Sequence, residues 1–121
     1  GGGEGGQTVT ELWNGSAWSS GSAMNSGRGN FEGSGISTLG VAAGGGEPGT
    51  PSDEGLRTES YDGSSWTTRS NMNQTHGDGT GMGGVGSTAS ATFCVCGYTG
   101  ANQSTCELWG YDAYTTKTVS S

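Results

Sequence analysis

The sequence predicts an all-β protein built from repeated four-stranded antiparallel units. Three observations predict it. The stretch E-L-W-N-G-S-A-W-S-S-G-S-A-M-N from Glu11 to Asn25 returns as E-S-Y-D-G-S-S-W-T-T-R-S-N-M-N from Glu59 to Asn73. It returns again, worn down, as E-L-W-G-Y-D-A-Y-T-T-K-T-V-S-S from Glu107 to Ser121, and 59 − 11 and 107 − 59 both give 48. A fixed period of this length marks a chain assembled from one repeated supersecondary unit. The second observation is local grammar. Residues 8–13, 37–43 and 88–97 are β-branched, small or aromatic runs broken by Gly, Asn and Asp, as strands and turns require. The third is that no stretch combines good helix formers with apolar residues at helical spacing.

Composition narrows the class further. The chain has 121 residues, about one domain by length. Of these, 27 are glycine and 28% are apolar, so ordinary helix packing has little to bury. Four Trp at fixed register argue against disorder. The net charge is −7, and the four basic residues, Arg28, Arg57, Arg69 and Lys117, are scattered. Nucleic acid, which needs clustered cations, is not an expected partner. Membrane insertion is not expected either, because no apolar run nears the roughly 20 residues that span a bilayer. A chain that starts at Gly1 rather than Met reads as a processed product or a piece of a longer repeat array.

Taken in order, residues 1–26 read as half a unit, its third and fourth strands near 8–14 and 17–20. Residues 27–74 read as a full unit, with strands near 29–35, 37–44, 56–62 and 64–68. Residues 75–121 read as a second full unit, with strands near 80–86, 89–97, 104–109 and 113–118, degenerate at its C-terminal end. The turn between third and fourth strands is Asn14-Gly15 in one copy and Asp62-Gly63 in the next. These dipeptides are expected to occupy both central turn positions at positive φ. Gly110-Tyr111 in the third copy suits such a turn poorly. The loop between second and third strands varies most, running over 46–57 in one unit and 98–103 in the other. An insertion-tolerant segment of this kind belongs on an edge or face.

Short antiparallel strands at this period are the signature of a propeller blade. A Gly pair closing the second strand (Gly44-Gly45), Glu-x-aromatic on the third (Trp13, Tyr61, Trp109) and an aromatic on the fourth (Trp18, Trp66, Tyr114) resemble Kelch repeats. The fuller wording, T-E-L-W-N-G-S-x-W followed by M-N, resembles the Kelch-like repeats of structural and tail-fibre proteins of tailed bacteriophages. The resemblance implies about two and a half blades, a fragment of a propeller or one completed by other copies. It also implies an extracellular or virion-surface location. Independently of any family, a lone sheet cannot bury its own faces, and each of these six aromatics is expected to pack between adjacent sheets.

Chemical candidates are few. Cys94, Cys96 and Cys106 fall in one predicted hairpin, and a turn centred on Ala101 sets Cys96 opposite Cys106, the relation a disulfide needs. The alternative is three small buried apolar residues. His76 is the single histidine and lies 76 − 28 = 48 residues after Arg28, so both fill one slot that ties a loop to a neighbouring unit. Ser60 to Trp66 is similar to the Asp-box turn of sialidase propellers, one residue short between Asp and Gly, and in that family the box is structural. Glu11, Glu59 and Glu107 recur in register and read as caps on backbone N–H groups of a neighbouring turn.

No cofactor or metal site is predicted, and no catalytic residue. Function is therefore sought in what does not repeat. Asp53, Glu54, Tyr98 and Asn102 are the candidate ligand-contacting residues of the variable loops. The expected function is a non-enzymatic virion structural or receptor-binding module, with a cell-surface glycan, its own copies or the rest of a parent chain as partners. The alternatives are a purely architectural fibre or decoration protein and a secreted carbohydrate-active propeller domain.

Overall fold

The computed structural model describes residues 6–29, 31–45, 54–74, 81–84, 93–96, 105–110 and 113–118. The strands in chain order are β1 (Glu11–Trp13), β2 (Trp18–Ser20), β3 (Glu32–Ile36), β4 (Leu39–Ala43), β5 (Thr58–Tyr61), β6 (Trp66–Arg69), β7 (Gly81–Gly84), β8 (Phe93–Cys96), β9 (Thr105–Gly110) and β10 (Ala113–Thr118). The helical structure among the described residues is a 3-10 turn at Glu54–Leu56. The protein is all-β.

The strands form three antiparallel sheets among the described residues. β1 and β2 make a two-stranded sheet, β3-β4-β5-β6 a four-stranded one and β7-β8-β9-β10 another. Every hydrogen-bonded neighbour within a sheet is also the neighbour in sequence, so each sheet is a meander. Strands occur at each predicted position; β1 and β4 are shorter than the runs at 8–13 and 37–43, and β10 spans its predicted residues. β4 stops at Ala43 because Gly44 and Gly45 follow at φ 66° and 80°. A side chain at Gly45 would meet the Gly29 carbonyl oxygen and Phe31 Cβ, each 2.5 Å from its Cβ. Only glycine fits both the backbone and the space there.

The outer hairpins are built alike. Trp13 pairs with Trp18 and Tyr61 with Trp66. Asn14 N–H donates to the Ala17 carbonyl and Asp62 N–H to that of Ser65, both at 3.2 Å. The central pairs are therefore Gly15-Ser16 and Gly63-Ser64, one residue later than the sequence pattern suggests. Gly15 and Gly63 both sit at φ 100°. Asn14 and Asp62 act through their side chains instead. Asn14 Oδ1 accepts the Ser16 and Ala17 N–H groups at 2.8 and 2.9 Å. Asp62 Oδ1 accepts those of Ser64 and Ser65, both at 2.8 Å. A side-chain oxygen thus replaces the backbone carbonyl that would close a two-residue loop. In the third copy Gly110 takes this position and has no side chain to offer, and strand pairing extends to Gly110↔Ala113.

Burial is shared between apolar and polar groups. Met24, Ala42, Ala43, Tyr61 and Met72 are buried, and so are Arg28, Thr58, Glu59, Ser60 and Glu107. The two methionines hold equivalent places. Met24 N–H donates to the Thr8 carbonyl and Met72 N–H to that of Leu56, each at 2.8 Å.

The Asp62 turn carries a pH dependence. The N–H groups of Ser65 and Ser64 hold the Asp62 carboxyl below its ordinary value of 3.8. A carboxyl lowered on folding contributes stability that is present above the ordinary value and is lost as pH falls through the folded one. A carboxyl titration followed by NMR is expected to place the Asp62 midpoint below 3.8. Asp62→Asn, which copies Asn14, is expected to keep the turn and remove its acid sensitivity.

Candidate functional site at the junction between repeats

The most elaborate polar cluster lies where one unit meets the next. Glu59, on β5, is 1% exposed and accepts three hydrogen bonds from residues of the preceding loop. Its Oε1 takes the Asn25 N–H at 2.7 Å, and its Oε2 takes the Ser26 N–H at 3.3 Å and Arg28 Nη2 at 3.0 Å. Arg28 is 2% exposed. Its Nη1 donates to the carbonyls of Gly44 and Arg57 at 3.2 and 3.0 Å, and its guanidinium lies 5.9 Å from the Phe31 ring centroid. Gly44 N–H also donates to the Arg57 carbonyl, at 3.0 Å. One ion pair therefore ties the Asn25–Arg28 loop to both ends of the variable loop of the next unit. Desolvating two charges is costly, and it is offset by opposite charge at contact distance together with hydrogen bonds to the ionised groups.

The cluster recurs one period on. Glu107, on β9, is fully buried and accepts the Asn73 N–H at 2.6 Å and the Gln74 N–H at 3.1 Å. Glu59 and Glu107 cap a neighbouring turn, as their register suggests. Glu11, the third member of the series, is exposed.

The aromatic pairs divide in the same way. Tyr61 and Trp66 stack across the strands at 5.1 Å. Tyr61 is 4% exposed and Trp66 is half-buried. The β1–β2 unit covers them: Trp66 Nε1 donates to Thr10 Oγ1 at 3.0 Å, Asn25 Nδ2 to the Trp66 carbonyl at 3.0 Å and Ser22 Oγ to the Ser64 carbonyl. Trp13 and Trp18 stack equally well, at 5.4 Å, yet are 49% and 65% exposed. The expectation that they pack between sheets is corrected for this pair. Among the described residues no sheet lies on their outer side. Trp109 and Tyr114 are paired across β9 and β10 in the backbone register of the other two pairs.

The remaining predicted residues separate into framework and loop. Asp53, Tyr98, Asn102 and His76 lie outside the described residues. Glu54 opens the 3-10 turn at the end of the first variable loop. Leu56 and Arg57 close that loop and belong to the framework, since their carbonyls accept from Met72, Gly44 and Arg28. Cys94 pairs with Leu108 and Val95 with Glu107. Among the described residues no group of three or more His, Cys, Asp or Glu is placed to hold a metal ion. Also among them, no helix is long and apolar enough to cross a membrane.

The sequence pattern finds Glu59 and Arg28 separately but not as a pair. They stand 31 residues apart and only one of them repeats as the same residue type.

No protein-family model matches the chain, and no curated protein matches it.

Removing the Glu59 carboxylate takes the charged partner from buried Arg28 and the acceptor from two part-buried N–H groups. Glu59→Ala is expected to lower stability by about 3 kcal/mol or more and Glu107→Ala by about 1–3 kcal/mol. Glu11→Ala is expected to stay within about 0.5 kcal/mol of the parent chain. Urea unfolding of the three variants measures this order.

Proposed function

We propose that this chain is a non-enzymatic structural or receptor-binding module of a virion surface, built from Kelch-like propeller blades. One observation carries the non-enzymatic part. Among the described residues the buried carboxylates, Glu59 and Glu107, accept backbone N–H groups of the preceding unit, and Arg28 pairs with Glu59 and with carbonyls of its own unit, so these charges serve cohesion. A propeller arrangement is supported by the placement of β3 beside β7. These are the first strands of two successive meanders, and sheets radiating from a common axis bring their innermost strands together in this way. The virion assignment is supported by the wording of the repeat.

In this reading the repeated strands are a scaffold and the non-repeating loops face the target, a cell-surface glycan. Loops positioned by a rigid framework are where binding residues concentrate. The full chain is expected to bind a subset of a glycan array. The combined variant Asp53→Ala, Glu54→Ala, Tyr98→Ala, Asn102→Ala is expected to lose that binding with an unchanged unfolding midpoint. An array without any binding would overturn the receptor-binding reading and favour a purely architectural fibre or decoration protein.

A further inference from the structure

β1 is the one third-position strand whose outer edge has no partner among the described residues. Its counterpart β5 pairs with β6 on one side and with β4 on the other, through Gly40↔Tyr61, Val41↔Ser60, Ala42↔Glu59 and Ala43↔Thr58. Its counterpart β9 likewise pairs with β10 and β8. β1 pairs with β2 alone. An unpaired strand edge presents a row of donors and acceptors ready to template another strand.

A cavity of about 270 Å³ opens beside that edge, between β1 and the β3–β4 hairpin. Thr10 and Leu12 line it from the first unit, and Gly33, Ile36, Gly40 and Tyr61 from the β3–β6 sheet. Ile36 is 52% exposed. The wall is apolar and low, because glycines at 33 and 40 leave the sheet surface bare. At the next junction β7, the first strand of the third unit, lies beside β3. The open edge and the bare face thus bound one slot, two strands wide, between the first unit and the second.

We propose that this slot is a docking site for an antiparallel β-hairpin of the β3–β4 type. Its second strand adds to the outer edge of β1 opposite Thr10 to Trp13. Its first strand lies against β3, as β7 does at the next junction. Strand addition of this kind draws affinity from main-chain hydrogen bonds and specificity from alternate side chains. The occupant is of small-residue chemistry, alternating Gly, Ala and Val, because a bulky strand would not enter between Leu12 and the glycine-lined wall. This chain's own β3–β4 and β7–β8 hairpins are already paired within their sheets, so the hairpin comes from a further repeat of the same pattern. The inference rests on the repeat architecture and not on glycan binding, and a failed glycan array would leave it standing.

Two forms of one experiment test it. In the first, a copy of residues 27–43 is joined directly before Gly1. In the second, a synthetic peptide of residues 31–45 is added to the unaltered 121-residue chain. Hydrogen exchange is read at the Glu11 and Trp13 amides, which point away from β2 in the β1–β2 register. Either form is expected to slow their exchange by about tenfold or more, and a Val41→Pro peptide is expected to have no effect. Unchanged exchange at β1 in both forms would overturn the proposal. A concentration-dependent dimer of the unaltered chain that protects the same amides would also overturn it, since a second copy would then hold the edge.

Discussion

The structure depends on a carboxylate of one repeat accepting the backbone N–H groups of the repeat before it. Glu59 does this for Asn25 and Ser26, and Glu107 for Asn73 and Gln74. The constraint behind it is composition. A chain with 27 glycines and 28% apolar residues has little hydrophobic surface with which to press its sheets together. Directional bonds therefore take over part of the work of cohesion. A charged acceptor between two amides is stronger than a neutral one, and sealing it from water strengthens it again. The same burial makes it intolerant of losing a partner.

Each unit is consequently incomplete by itself. A four-stranded meander has two faces, and in this protein a face is finished only by the neighbouring unit. Trp66 is bonded to Thr10 and Asn25 of the first unit, while Trp13 and Trp18 remain open to solvent. Stability in such arrays is a sum of unit terms and nearest-neighbour terms. Glu11, Trp13 and Trp18 are exposed together on the β1–β2 hairpin.

Much of this architecture was legible in the residues. The 48-residue recurrence of Glu-x-aromatic and the Asn-Gly and Asp-Gly turns located the strand pairs, because strand register and turn chemistry are properties of near neighbours in the chain. The turn centre was displaced by one residue because Asn14 and Asp62 close the loop with side-chain oxygens, which a dipeptide pattern does not distinguish from backbone closure. The exposure of Trp13 and Trp18 was not legible, since the same motif is buried or open according to what lies beside it. The Arg28–Glu59 pair was half legible. Periodicity marked the glutamate as structural, but its cationic partner is joined to it only by folding. Of the residues assigned to the variable loops, Glu54 alone is described, at the start of a 3-10 turn.

The central claim is that repeats are joined by a carboxylate that grips two successive amides. Residue-resolved hydrogen exchange of the native chain tests it most directly. The account predicts that the amides of Asn25 and Ser26 are protected together, that those of Asn73 and Gln74 behave alike, and that Glu59→Ala releases the first pair without the second. Exchange of all four amides at the rate of an open loop, or protection of Asn25 and Ser26 that survives Glu59→Ala, would contradict it.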